Sequence, residues 1–122
     1  RVDSQLKSMG KEFIQLTGND DNALEFNKRG GVGAIGVTAN IAAKLSSDFQ
    51  KACKNDMAEA VKLDKILQPL HSSLFIESNP SPVKYAASLL KMCSPSVRLP
   101  LVEIRDETKK KVSDALKSAK LL

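Results

Sequence analysis

Two short stretches of this chain gather residues that could do chemistry. The first is GGVGAIGVTAN, Gly30 to Asn40, in which Gly31, Gly33 and Gly36 fit the pattern G-x-G-x-x-G. Glycines so spaced let a backbone turn approach a dinucleotide pyrophosphate at the start of a helix. The second is Thr17-Gly18-Asn19-Asp20-Asp21, whose adjacent carboxylates could work as an acid and base pair or hold a cation. Aspartates just before a helical stretch also cap helices, and we prefer that reading for Asp20 and Asp21. No metal site is expected.

Other reactive side chains stand alone. His71 belongs to no catalytic constellation of Ser, Cys or Asp, so a structural or surface role is expected. Tyr85 reads as a packing residue on a helix. Helix capping and a loop contact explain Lys84 better than imine chemistry does. Cys53 and Cys93 lack C-x-x-C spacing, and buried or partly buried free thiols in a reducing compartment are expected.

The elements that must position these residues follow from periodicity. Val2, Leu6 and Met9 recur at helical spacing, and Gly10 is a natural stop. Glu12 to Thr17 reads as a buried strand. Asp20, Asp21 and Asn22 are candidate caps for a helix carrying Ala23, Leu24 and Phe26, ended by Gly30 and Gly31. Ala34 to Ala39 then reads as a second strand. Strand, helix and strand make a βαβ unit with parallel strands. Two such strands would leave Ile14, Leu16, Ile35 and Val37 on unpaired edges, so further strands are needed to complete the sheet.

Beyond Asn40 the pattern is helical. Ile41, Leu45 and Phe49 share a face, and Asn55-Asp56 caps a helix whose stripe is Ala60, Leu63, Leu67, Leu70 and Leu74. Pro69 should kink or divide it. Asn79-Pro80 is a cap and first-position pair for a helix with Val83, Ala86, Ala87 and Leu90 on one side. Asp106 opens a last helix with Val112, Ala115, Leu116 and Ala119 inward.

This order decides against a nucleotide site. A dinucleotide fingerprint needs strand, then glycines, then helix. Here a helix precedes the glycines, and Gly36 falls inside a strand. The order suggests instead a (β/α)8 barrel, in which Thr17 to Asp20 and Val37 to Asn40 would lie at the C-terminal ends of neighbouring strands, where such barrels carry their chemistry.

Composition narrows the classes further. The chain has 122 residues, 42% of them hydrophobic, enough for one modest domain with a core. The net charge is +5, but only Lys109-Lys110-Lys111 forms a basic run, and it reads as a solvated helix face. With 4% aromatic residues the chain lacks the stacking platforms of single-strand nucleic-acid binders. Neither nucleic acid nor membrane is expected as a partner, since no apolar run approaches the roughly 18 residues of a span. A soluble, cytoplasmic protein is expected. The first residue is Arg1 rather than Met, which suggests a piece of a longer chain.

Several blocks together resemble a known family. Thr17-Gly-Asn-Asp20, Gly30 to Asn40, Pro69-Leu-His71, Leu74-Phe75, Asn79-Pro-Ser-Pro-Val-Lys84 and Arg98-Leu-Pro-Leu101 are similar, in order and spacing, to the C-terminal part of the dihydrodipicolinate synthase family. The Asn-Pro-x-Pro-Val-Lys and Arg-Leu-Pro-Leu blocks separate that family from pyruvate-lyase relatives such as N-acetylneuraminate lyase.

The resemblance implies an α/β fold: the last two strands of a (β/α)8 TIM barrel with their helices, residues 1–54, followed by a C-terminal helical domain, residues 55–122. It implies an enzyme that joins pyruvate to a lysine as a Schiff base and condenses it with L-aspartate 4-semialdehyde on the way to lysine and diaminopimelate, without a cofactor. A protonated imine is an electron sink that turns pyruvate into a carbon nucleophile. The family's Schiff-base lysine, tyrosine relay and carboxylate-binding threonine correspond to positions before Arg1, so no catalytic residue is expected in this chain.

The wall of the site is what the resemblance assigns here. The backbone carbonyl of Ile35 matches the one that lies beside bound pyruvate, and Gly36 stands where the family more often has Ser. Gly18, Asn19 and Asp20 match the loop bordering the second substrate, with Asn19 replacing an aspartate and dropping a charge. Family members are tetramers, and Glu25, Lys28 and Arg29 match a region near a contact between dimers. The expected partners are therefore pyruvate, the semialdehyde, a missing N-terminal barrel segment and further copies of the chain. A stand-alone binding or assembly module is the alternative from a different functional class. On the preferred reading the chain alone is inactive.

Overall fold

The computed structural model describes residues 2–10 and 12–122. Among these residues six α-helices follow one another: α1 (Val2–Met9), α2 (Ala23–Lys28), α3 (Ala43–Asn55), α4 (Met57–Ser73), α5 (Ser81–Leu89) and α6 (Asp106–Ser118), with a single 3-10 turn at Thr38–Asn40.

The helix ends follow local chemistry. Gly10, with φ of +82°, ends α1. At the end of α2 the Gly31 amide donates to the Phe26 carbonyl and the Gly30 amide to that of Asn27, with Gly30 left-handed at +101°. This paired closure explains why two glycines stand together: Gly30 adopts a conformation that a β-carbon disfavours, and a β-carbon on Gly31 would lie 2.1 Å from the Phe26 ring. Asp56 caps α4, its carboxylate accepting from the Glu59 amide at 3.1 Å. The α6 N-terminus is satisfied from outside: Glu77 accepts from the Arg105 amide at 3.0 Å. The Thr108 hydroxyl and that amide hold the Glu77 carboxyl below its ordinary range.

Four expectations are corrected. The first expected strand begins in a turn and bend at Glu12 and Phe13, and it pairs with the second through a single parallel bridge, Thr17 to Ala34. Three amide bonds carry this contact, from Thr17 to Gly33, Ile35 to Thr17 and Val32 to Gln15, at 2.9–3.0 Å. The second expected strand stops at Gly36, because the chain turns at Val37 into the 3-10 turn. Val37 itself packs against the core instead of lying on an open edge. Asn79 does not cap α5; Pro80 occupies that position and Pro82 lies in the first turn.

Two smaller differences follow. Pro69 lies inside α4 and does not divide it. Cys93 is exposed and Cys53 half-buried, both as free thiols.

The core lies between α3, α4, α5 and α6 and reaches back to Ala23 of α2. Leu67, Leu70, Leu74 and Leu116 are fully buried, each contributing about 1.5–3 kcal/mol of transfer free energy. The α2 helix is tied to this body by Asn27 Nδ2 donating to Gln50 Oε1 at 2.9 Å. The loop before it is held by Gln68 Nε2, which donates to the Asp21 carbonyl at 3.0 Å.

The extended segments behave differently on their two faces. Gln15 and Thr17 are buried toward the helices, whereas Ile14 and Ile35 are 73% and 74% exposed. Side chains alternate across a strand, so Ile14, Leu16 and Ile35 lie on the side away from the helices. Phe13 and Val32 are exposed as well.

Candidate functional site

The bridge brings the two sequence-predicted blocks together. Ile35 donates its amide to the Thr17 carbonyl at 2.9 Å, so its own carbonyl begins the connection to Gly36 and Val37. Thr17 ends the first extended segment, and its hydroxyl donates to Asn22 Oδ1 at 2.9 Å while accepting from the Asn19 amide at 3.1 Å. These bonds fold Gly18 and Asn19 into an exposed loop beside the bridge.

Asp20 takes a role that sequence spacing does not reveal. It was expected among the caps of α2, yet Asn22 is the cap residue there and makes no side-chain bond to the helix. The Asp20 carboxylate reaches across the loop instead, where Oδ2 accepts from the Val37 amide at 2.7 Å and the Thr38 amide at 2.9 Å. A carboxylate accepting two amides neutralises donors that the 3-10 turn cannot pair internally. Asp21 is exposed.

His71 completes the arrangement. It lies in α4, is 5% exposed, and shares a hydrogen bond of 2.7 Å between Nδ1 and the hydroxyl of the fully buried Thr38. Burial pushes the imidazole pKa down, opposed by the charges of Asp20, Asp64 and Asp21. The structural half of the expectation for His71 therefore holds, and the surface half does not. Sequence reasoning missed the pair because Thr38 and His71 sit on elements that meet only through tertiary packing.

Two clefts border this region. One of about 280 Å³ is lined by Asn19, Asp20, Asp21, His71, Ser72 and Phe75. Another of about 520 Å³ lies between α1, α2 and the bridge, with Thr17, Gly18 and Asn19 on its wall. Ile35 belongs to neither and faces the open apolar side.

The remaining candidates are accounted for. Lys84 makes the expected loop contact, donating to the Ser96 carbonyl at 2.6 Å. Tyr85 packs half-buried against the core. Glu25 and Arg29 pair with each other at 2.7 Å, and Arg29 also reaches Asp3 at 3.3 Å. In the basic run, Lys109 pairs with Glu103 and Asp106, while Lys110 and Lys111 are exposed. Among the described residues no helix is long and apolar enough to cross a membrane.

Residues 1–119 match the model of the dihydrodipicolinate synthetase family. The chain belongs to that family. Similar members include the 4-hydroxy-tetrahydrodipicolinate synthase of Pelagibacter ubique, 67% identical over 126 aligned positions, and that of Zymomonas mobilis, 54% identical over 124. Each alignment takes in all of this chain and 43% of the relative, so the chain spans less than half the length of these curated relatives.

Solved dihydrodipicolinate synthases share the fold. The Aquifex aeolicus enzyme superposes with a TM-score of 0.93 at 34% identity, over 99% of this chain and 42% of that one. A chloride-inhibited Acinetobacter baumannii enzyme complexed with pyruvate gives 0.93 at 32% identity, over 100% and 42%. The chain thus shares the fold of part of the dihydrodipicolinate synthases, while its own described residues are mostly helical. Within the described residues its β component is the single parallel bridge.

Proposed function

We propose that these 122 residues are the C-terminal part of a 4-hydroxy-tetrahydrodipicolinate synthase, which condenses pyruvate with L-aspartate 4-semialdehyde in the cytoplasm. The observation that carries this reading is 67% identity along the whole chain to a segment amounting to 43% of the Pelagibacter synthase. Residues 1–54 supply the last portion of a (β/α)8 barrel, and residues 55–122 form the helical domain behind it. The exposed Ile14, Leu16 and Ile35 then meet the rest of the barrel, which explains an apolar face turned to solvent.

In this role the chain supplies a wall and no nucleophile. The lysine that forms the imine belongs to the remainder of the barrel. The Ile35 carbonyl is an acceptor with a fixed place beside pyruvate and that lysine, and a carbonyl suits a site where a protonated imine develops. Gly18, Asn19 and the Asp20 loop border the second substrate, with Asn19 offering hydrogen bonds without charge. Glu25, Lys28 and Arg29 lie near a contact between dimers of a tetramer.

The test is to join residues 1–122 to the N-terminal part of the Pelagibacter synthase and assay the purified, folded chimera. Condensation of pyruvate with the semialdehyde is expected. A folded chimera that instead cleaves N-acetylneuraminate, or turns over neither substrate, would overturn the reading.

A further inference from the structure

We propose that Asp20, Thr38 and His71 are positioning residues: a clamp, running from the Asp20 loop through the 3-10 turn to α4, that sets the direction of the Ile35 carbonyl. This inference rests on the reading of that carbonyl as a neighbour of bound pyruvate.

The geometry carries it in three steps. First, the Ile35 peptide is anchored on its N-terminal side, where its amide donates to the Thr17 carbonyl at 2.9 Å. On its C-terminal side stands Gly36, the residue type with the greatest backbone freedom, so nothing intrinsic to the sequence holds the carbonyl. Something outside must restrain the next residues.

Second, Asp20 does so. Its Oδ2 gathers the amides of Val37 and Thr38, at 2.7 and 2.9 Å, one and two residues beyond Gly36. Its Oδ1 occupies the space that a β-carbon on residue 36 would need. The missing side chain and the restraining carboxylate are two halves of one arrangement.

Third, Thr38 is itself anchored. Its hydroxyl meets His71 Nδ1 at 2.7 Å within the core, and α4 is the longest helix among the described residues. The clamp therefore ties a flexible glycine junction to a rigid element. Misplacing an acceptor by about 1 Å costs about a hundredfold in rate when the acceptor contacts the reacting group.

The experiment uses the chimera with Thr38→Val, Thr38→Ser and Asp20→Ala, each checked for assembly and melting temperature. Two quantities are measured: amide exchange in peptides covering residues 35–40, and the rate of pyruvate imine formation, trapped with borohydride. Thr38→Val keeps the side-chain volume, so it isolates the hydroxyl. Expected are faster exchange and imine formation slowed about ten- to hundredfold in Thr38→Val and Asp20→Ala, with little change in the half-saturating pyruvate concentration and recovery in Thr38→Ser. Unchanged exchange would overturn the clamp and leave the Ile35 reading standing. Faster exchange with unchanged imine formation would overturn the positioning role, and would point to failure of the Ile35 reading beneath it.

Discussion

Asp20 and Gly36 share one volume: a β-carbon at position 36 would lie 1.7 Å from Asp20 Oδ1 and 2.3 Å from its Cγ. The loop after the first extended segment and the junction after the second are thus interdependent. Each is shaped to fit the other.

A double-mutant cycle should expose that dependence. In the parent chain Gly36→Ala forces the carboxylate off the Val37 and Thr38 amides and should destabilise by about 1–2 kcal/mol, the cost of unpairing two partly buried donors. In an Asp20→Ala background the three atoms that crowd the new β-carbon most closely are gone. There it should be neutral or stabilising by up to about 1 kcal/mol, through reduced freedom of the unfolded chain. Urea denaturation of the four chains measures the coupling, expected at about 1–3 kcal/mol. Additive effects would contradict the shared volume.

His71 makes stability depend on pH. Burial holds its pKa below the ordinary imidazole value of about 6.5, despite the opposing charges of Asp20, Asp64 and Asp21. As pH falls through that value, the unfolded chain binds a proton that the folded chain refuses. The unfolded state then binds more protons, so this contribution to stability declines between the ordinary and the native pKa, and it is constant above the ordinary one. Unfolding at about pH 7.5 and about pH 5.5 should therefore show a larger acid loss for the parent than for His71→Asn. Identical losses would place the imidazole in contact with water.

The helices were largely legible because their apolar stripes repeat at helical spacing, as Ala60, Leu67 and Leu70 do in α4, with Leu74 at its C-cap. The glycine pair ending α2 was legible too, since Gly30 and Gly31 follow a helical stretch where a left-handed residue is wanted. The glycine pattern misleads only when read without the order of elements. What spacing could not reveal was pairing at a distance. Nothing in the letters says that Asp20 turns from its own helix toward the Val37 amide, or that Thr38 meets His71. Strand lengths were overread for a related reason: Glu12, Phe13 and Val37 have strand-compatible patterns, yet a strand extends only where a neighbour pairs with it.

The open apolar face predicts how the chain behaves alone. Ile14 and Ile35 are 73% and 74% exposed, and Leu16 is 49% exposed, on one side of the extended pair. Such a surface favours association. Sedimentation of the isolated chain should be concentration-dependent, and Ile14→Lys with Leu16→Gln should weaken that dependence. A monomer at all concentrations, with both extended segments fully protected from amide exchange, would contradict the account.

On the proposed function, this chain contributes the wall of an imine-forming site while the nucleophile comes from elsewhere in the barrel. Borohydride reduction in the presence of pyruvate, followed by mass spectrometry and peptide mapping, tests it most directly. The isolated chain should gain no mass. The chimera should gain one reduced pyruvate, on a lysine outside residues 1–122. An adduct on any lysine within these residues, or a folded chimera that traps nothing, would contradict the claim.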